Sequence, residues 1–451
     1  MSELPSRTDL EVRRLGAPGL RTPLRNADLL VDEDDRVVLT SSTRKLQAFL
    51  DRGARPPSFE RAGAREHLYF DPATIGVGVV SCGGLCPGIN NVIRSLVLTL
   101  VHHYRVPRIL GFRWGYAGLA GPGCEKEPPI ELTTQLVSSI HALGGSVLGT
   151  SRGPQDVKAM VDRLEQLEIS ILFAIGGDGT LRGASALAAE VSRRGKDIAV
   201  IGVPKTIDND IRWIERSFGF ATAVEEARQA IVGAHAEARG AWNAIGLVKL
   251  MGRHSGFITA HASLANSDVN FCLVPEVPFT LDGRGGLLEV LELRLRERHH
   301  AVIAVAEGAG QDLIRAEVDE HARVPSGPRS GSDASGNVKL EDIGPFLKRR
   351  IGERLKDQGV EHTIKYIDPS YIVRSMPANS LDAAFCLQLG QHAVHAGMAG
   401  RTDMVVGYWN RRFTHVPIPV AVARRNTIDP DGPTWQRVLE ATGQPSSMVG
   451  S

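Results

Sequence analysis

Residues 169–194 read ISILFAIGGDGTLRGASALAAEVSRR. Ile169 to Ile175 has the length and apolar content of a strand buried on both faces. Gly176-Gly177-Asp178-Gly179-Thr180 interrupts it, and from Leu181 to Arg194 the spacing of apolar residues turns helical. An Asp-Gly pair can also make a hairpin turn, but strand before and helix after argue against one here. Strand, glycine turn, helix is half of a parallel βαβ unit.

The same order recurs on both sides. Ile75 to Val80 predicts a strand, Gly83-Gly84 a turn, and Asn90 to about His103 a helix. Arg108 to Phe112 predicts a strand, Thr133 to Leu143 a helix, and Pro154 to Leu167 an amphipathic helix. Ile198 to Val203 is a further strand, followed by a helix over Ala221 to Glu237, a strand over Ala244 to Lys249 and a helix opening near Gly256. A strand at Val302 to Ala306 and a helix at Lys339 to Leu355 continue the series. Repetition of this kind predicts an α/β protein with mostly parallel sheets wrapped by helices. Before Thr74 the chain is rich in Arg, Asp and Pro and weakly periodic, with a short helix at Thr43 to Asp51; it reads as an extension. Pro325 to Asn337, rich in Gly, Ser and Pro, reads as a mobile surface loop.

Composition narrows the function. The 451 residues hold 52 Lys plus Arg against 51 Asp plus Glu, so no global field draws a polyanion and nucleic acid is not expected as a partner. The longest apolar run, Leu96 to Val101, is too short to span a bilayer, and the polar N-terminus has no signal-peptide core, so no membrane partner is expected. Five scattered cysteines (Cys82, Cys86, Cys124, Cys272, Cys386) make neither a disulfide framework nor a zinc pair, which fits a reducing cytoplasm. His299-His300 and His392-x-x-His395 have metal-like spacing, but packed or solvated histidines explain them better.

Four polar turns follow strands, the positions where open parallel sheets bind ligands. Gly83 to Gly88 offers bare backbone ahead of a helix N-terminus, which suits a phosphate, although a double glycine serves any tight turn. Asp178, flanked by glycines, would repel a phosphate unless a cation lay between them, and so is a candidate Mg²⁺ ligand. Asp208 and Asp210 stand two apart after another strand, with Lys205 nearby. They need a metal, a cation or a shared proton, or one of them caps a helix; spacing leaves these open. Arg253 offers a phosphate fork or a solvated charge, and Glu307 a partner for sugar hydroxyls or an ordinary surface acid. Together these residues point to phosphoryl transfer. No Walker motif, protein-kinase set or G-x-G-x-x-G is present.

The ordered set GGLCPGIN (83–90), GTSRGP (149–154), IGGDGT (175–180), PKTIDND (204–210), MGRHSG (251–256), AEG (306–308) and YIVRS (371–375) resembles the 6-phosphofructokinase family over roughly residues 74 to 420. The extension and the insertion around 312 to 342 are similar to the long ATP-dependent enzymes of plants and kinetoplastids. GGDGT also occurs in NAD and diacylglycerol kinases, of which the other motifs are not expected. The resemblance implies a phosphofructokinase fold of two Rossmann-like domains: an extension at 1–73, a nucleotide-binding domain at 74–240, a sugar-phosphate-binding domain at 241–420 with a loop insertion at 312–342, and a tail at 421–451. It implies that Gly84, Arg152, Gly153, Gly177, Asp178, Gly179 and Thr180 hold ATP, with Asp178 on Mg²⁺. Thr206 and Asp208 would stand at the reacting hydroxyl, Asp208 as base, with Arg152 and Arg253 supporting transfer. Met251, Gly252, Arg253, Glu307, Lys365, Tyr371 and Arg374 would bind fructose 6-phosphate. A cytoplasmic homo-oligomer, tetramer or dimer, with allosteric control and a role in glycolysis is implied too.

Two positions bear on the donor. Pyrophosphate users of the family carry Asp where Gly179 stands, and Lys where Lys205 stands. Gly179 leaves room for a nucleotide, whereas the Lys205 charge serves either donor, so ATP is expected and pyrophosphate is the alternative. Sedoheptulose 7-phosphate is an alternative acceptor. Ala244 replaces an arginine of short bacterial members, and Asn243 is the candidate to make up that contact.

Overall fold

The computed structural model describes residues 5–25, 30–120, 127–321 and 339–450. Cys124 and the Pro325–Asn337 segment lie outside them. The chain divides into two compact units, Met1–Gly219 with Ser375–Arg425, and Phe220–Arg374 with Asn426–Ser451.

The first unit is built on a nine-stranded sheet. Its centre is five parallel strands in the order Met404–Trp409, Ala199–Pro204, Ile169–Gly176, Gly76–Ser81, Arg108–Phe112. The Ile169–Gly176 strand is buried at every position except Ser170, as its apolar run requires. Helices Ile89–Thr99, Val157–Gln166 and Asp178–Arg193 bury their apolar residues around this sheet. Asp156 caps the second of these, accepting from the N–H groups of Lys158 and Ala159. Gly76–Ser81 connects onward to Arg108–Phe112 on one side, while Ile169–Gly176 and Ala199–Pro204 add on the other. The topological switch point therefore falls between Gly76–Ser81 and Ile169–Gly176, where open α/β sheets bind ligands.

Residues before Thr74 are part of this sheet. Arg36–Val38 and Ser58–Arg61 pair antiparallel, and Ser58–Arg61 continues onto Arg412–Pro417. Phe59 is fully buried, and Glu60 accepts from Arg65, Arg401 and His415 in the interior. A boundary at residue 74 accordingly does not separate an extension from the folded sheet: the polar composition before it hides edge strands whose charges are paired internally.

The second unit carries a four-stranded parallel sheet in the order Phe271–Leu273, His300–Ala306, Ala244–Leu250, Thr363–Ile367. Helix Phe220–Arg239 packs on the Ala244–Leu250 strand, so the division falls at Gly219 rather than at 240. Residues 426–450 belong here too: Gln444 exchanges hydrogen bonds with the Cys272 backbone, and Phe279 bridges to Met448. They are not a separate tail from 421. The segment Thr133 to Leu143, expected as a helix, is a series of turns with a single 3-10 turn at Ile140–Ala142. Asn90 holds it there, donating to the Leu143 carbonyl and accepting from the Val147 N–H. The helix expected from Lys339 begins at Ile343, capped by Asp342. Among the described residues no helix is long and apolar enough to cross a membrane.

Candidate active site

Three strand ends of the first unit meet in register. Ser81 pairs with Ile175, and Gly176 with Pro204. Three polar turns thus leave the sheet side by side.

Gly83 takes φ +89°, a conformation glycine reaches without strain. Its N–H donates to the Ser151 carbonyl, and its carbonyl accepts from Thr150. The 149–154 segment, with exposed Arg152 and with Gly153 at φ +96°, is thereby pinned to the first turn. Lys205 reaches across from the third turn, its buried Nζ donating to the Gly84 carbonyl at 2.6 Å. Its charge is engaged in holding the first turn in place.

The second turn explains its glycines one by one. A Cβ on Gly176 would lie 2.2 Å from the Thr180 side chain, so this glycine lets Thr180 fold back onto the strand end. A Cβ on Gly177 would come within 3.2 Å of the Lys205 carbonyl. Around Gly179 nothing lies within 4 Å. Asp178 is the first residue of helix Asp178–Arg193, where the helix dipole favours its carboxylate. Thr180 is buried, and its carbonyl accepts from the Tyr116 hydroxyl.

The third turn is a locked loop. Asn209 adopts φ +52°, accepts from the Ser217 N–H and donates to the Glu215 carbonyl. Thr206 accepts from the Asp208 N–H at 3.1 Å and donates to Asp210 Oδ1 at 2.9 Å. After this turn the next helix begins only at Phe220, so neither aspartate is a cap. The left-handed Asn209 puts a turn, not extended chain, between the two aspartates. Burial pushes the Asp210 carboxyl above its usual range, opposed by the Thr206 bond and by Arg425. Asp178 adds to the upward push, which puts the two carboxylates within electrostatic reach of one another.

Among the described residues no three His, Cys, Asp or Glu side chains gather as a metal cage. Mg²⁺ ordinarily takes only one or two carboxylates and completes its shell with water and phosphate oxygens. Asp178 and Asp210 match that donor set. The sequence marked Asp210 only as the partner of Asp208; Arg425 was not singled out, for it lies 247 positions from Asp178 in the chain and no local pattern marks it. His392 and His395 are packed, His392 against Phe413 and His395 on the Tyr104 hydroxyl.

In the second unit two turns leave adjacent strands. Glu307 N–H donates to the Leu250 carbonyl, and Gly308 N–H to that of Gly252. A Cβ on Gly308 would sit 1.9 Å from the Arg253 carbonyl, and Gly252 has φ +128°, so both glycines are geometric necessities. Burial pushes the Glu307 carboxyl up, against the charges of Arg253, Arg374 and Lys249. Met251, Gly252, Arg253, Glu307 and Arg374 are therefore neighbours at one end of this sheet. Tyr371 is 79% exposed, with the Arg374 guanidinium 5.5 Å from its ring centre. Lys365 is not brought to them: it pairs with Gly246 in mid-strand and points its ammonium to Glu237, 3.7 Å away. Lys249, not singled out in the sequence, faces Glu307 instead, held by Asp368 and Asp342. Asn243 stands at the opposite end of the strand, against His299.

The chain matches the phosphofructokinase family over residues 76–397. It is 48% identical over 447 residues to a protein of Amycolatopsis methanolica named ATP-dependent 6-phosphofructokinase, covering 98% of this chain and 96% of that one. A Trypanosoma brucei brucei protein of the same name is 47% identical over 386 residues, covering 85% of this chain and 76% of its own. Among solved structures, a pyrophosphate-dependent phosphofructokinase from Marinobacter aquaeolei aligns with TM-score 0.65 over 82% of this chain and 91% of its own, at 18% identity, a likeness of fold alone. With strand-end turns laced as described, and sequence shared across nearly its whole length, the chain belongs to the phosphofructokinase family.

Proposed function

We propose that this protein phosphorylates fructose 6-phosphate at O1 with Mg-ATP, giving fructose 1,6-bisphosphate and ADP. The observation that carries the reading is the side-by-side exit of the Asp178 turn and the Thr206–Asp210 turn from paired strands of one sheet. A metal-type carboxylate and a base-type carboxylate then serve one phosphorus atom.

In this reading the bare backbone of the first turn, Arg152, Gly153 and residues 177–180 receive the nucleotide phosphates. Arg253, Glu307, Tyr371 and Arg374 take the sugar phosphate. Asp208 accepts the proton of the C1 hydroxyl as that oxygen attacks the γ-phosphorus and the β–γ bridging oxygen leaves with ADP. Thr206 holds the Asp208 N–H and the Asp210 carboxylate, so it sets the turn that presents the base. A Mg²⁺ ion on Asp178 and Asp210 would offset charge on the moving phosphoryl group. Positioning of this kind is worth ~7–11 kcal/mol and general-base help ~10²–10⁴-fold.

The donor rests on Gly179, whose surroundings are open, and on relatives named for ATP at 48% identity, whereas the pyrophosphate-named structure is distant in sequence. We further place the reaction in the cytoplasm, which suits the four free cysteines among the described residues, and in a homo-oligomer. A coupled assay of the purified protein with fructose 6-phosphate, Mg²⁺ and either donor tests the reading. Turnover with ATP and not with pyrophosphate is expected; turnover with pyrophosphate alone overturns the donor assignment.

A further inference from the structure

The two carboxylates of the first unit are bridged by a cation that belongs to neither of their turns. Arg425 Nε lies 3.9 Å from Asp178 Oδ2 and 3.9 Å from Asp210 Oδ2. Its backbone is fixed beside the same turn by an antiparallel bridge to Ile211. A second arginine ties down the segment that carries it: Arg182 donates to the Val422 carbonyl, and the same nitrogen stands 3.5 Å from Asp178 Oδ2.

Like charges this close need positive charge between them. Here the chain supplies it from a residue far away in sequence. The guanidinium stays charged at every working pH. Yet 3.9 Å is well beyond the ~2.7–2.9 Å of a charge-assisted hydrogen bond, and the side chain is 30% exposed. The contact is electrostatic rather than a bidentate lock, so the arm can be displaced. Mg²⁺ or Mn²⁺ would seek these carboxylate oxygens at a much shorter distance, ~2.0–2.1 Å for Mg²⁺, with twice the charge. Ion and arm compete for the same charge.

We propose that Arg425 is a tethered counter-cation, occupying the electrostatic place of the divalent ion on Asp178 and Asp210 until the ion arrives. It is a positioning residue that sets the metal affinity of the site and lets the carboxylates stand at their strand ends without repelling each other. The inference rests on reading that pair as metal-bearing, and its test separates the two ideas.

The test is Mn²⁺ binding to the full chain without nucleotide, followed by the paramagnetic resonance signal of the free ion, so no turnover is read. Losing one unit charge a few ångströms from the oxygens should tighten Mn²⁺ about tenfold in R425Q and R425M. R425K keeps the charge and should bind as the wild type does, separating loss of charge from loss of packing. Melting curves identify the variants that keep the fold; with its backbone held at Ile211 and its side chain part exposed, Arg425 should tolerate replacement. Mn²⁺ binding in R425Q and R425M no tighter than in the wild type, or absent from all three, overturns the proposal. D178N supplies the other arm. Loss of Mn²⁺ binding there supports the pair as the metal site, whereas undiminished binding overturns that reading and the Arg425 proposal with it.

Discussion

Gly179 decides more by what is missing around it than by what it touches. It is exposed, with nothing within 4 Å of the Cβ it lacks, so an added side chain meets no protein atom. Gly179→Asp should therefore fold and melt as the wild type does. The new carboxylate would stand at the helix N-terminus, beside Asp178, where nucleotide phosphate is expected to lie. ATP-dependent turnover should fall by two orders or more, since like charge and lost volume both act against the nucleotide. The check is kcat/KM for ATP alongside the melting temperature; full ATP turnover would refute the steric argument. Lys205 has a different standing. Its ammonium is buried on the Gly84 carbonyl, so its first task is to hold the Gly83–Gly88 turn. Sequence showed its charge but not where that charge is used.

At the scale of elements, the turns do the positioning, and they do it in laced pairs. The clearest case is Gly308 against Arg253, where a methyl group would overlap a backbone carbonyl. Gly308→Ala must push the Met251–Arg253 turn outward. Overpacking of this kind costs about 1–3 kcal/mol, so KM for fructose 6-phosphate should rise about tenfold or more, with kcat changing less. An unchanged KM would mean that Arg253 does not need this turn. Strand, turn and helix were legible along most of the chain because fully buried parallel strands leave uninterrupted apolar runs, as at Ile169 to Ile175. The Thr133–Leu143 segment was not. Its spacing is helical, but the backbone closes a series of short turns, and Asn90, more than forty residues earlier, ties down their end through the Leu143 carbonyl and the Val147 N–H. The resemblance implied Lys365 as a ligand of the sugar phosphate; strand register sets it opposite Gly246, four pairs short of the Leu250–Ala306 end of the sheet. The unit boundaries stayed hidden because they depend on which sheet a helix covers, as with Phe220–Arg239, and local composition does not record that.

At the scale of the molecule, the residues before Thr74 close the first unit's sheet around a buried charge cluster. Glu60 accepts from Arg65, Arg401 and His415, and these partners, against the opposing effect of burial, hold its carboxyl far below the usual range. Nearby, burial holds His392 and His395 neutral, pushing each down to about 3 from an ordinary 6.5. The sign follows directly. Both histidines titrate lower in the folded protein than in the unfolded chain, so their contribution is complete above pH 6.5. It is lost as pH falls from 6.5 toward 3, because the unfolded chain binds protons that the folded one refuses. Glu60 adds further loss once pH drops below its ordinary 4.5. Stability to urea should therefore be about 2 kcal/mol lower at pH 5.5 than at pH 6.5 from the two histidines together. A flat profile across that interval would show that these rings accept protons in place.

The account depends most on Asp208 acting as the base that takes the sugar hydroxyl's proton beside the Asp178 turn. The direct measurement is kcat for Asp208→Ser with ATP, fructose 6-phosphate and Mg²⁺, with binding of each substrate measured separately. Turnover should fall by at least about two orders of magnitude, the lower bound for general-base help, while substrate affinities barely change. Turnover equal to that of the unaltered protein would contradict it.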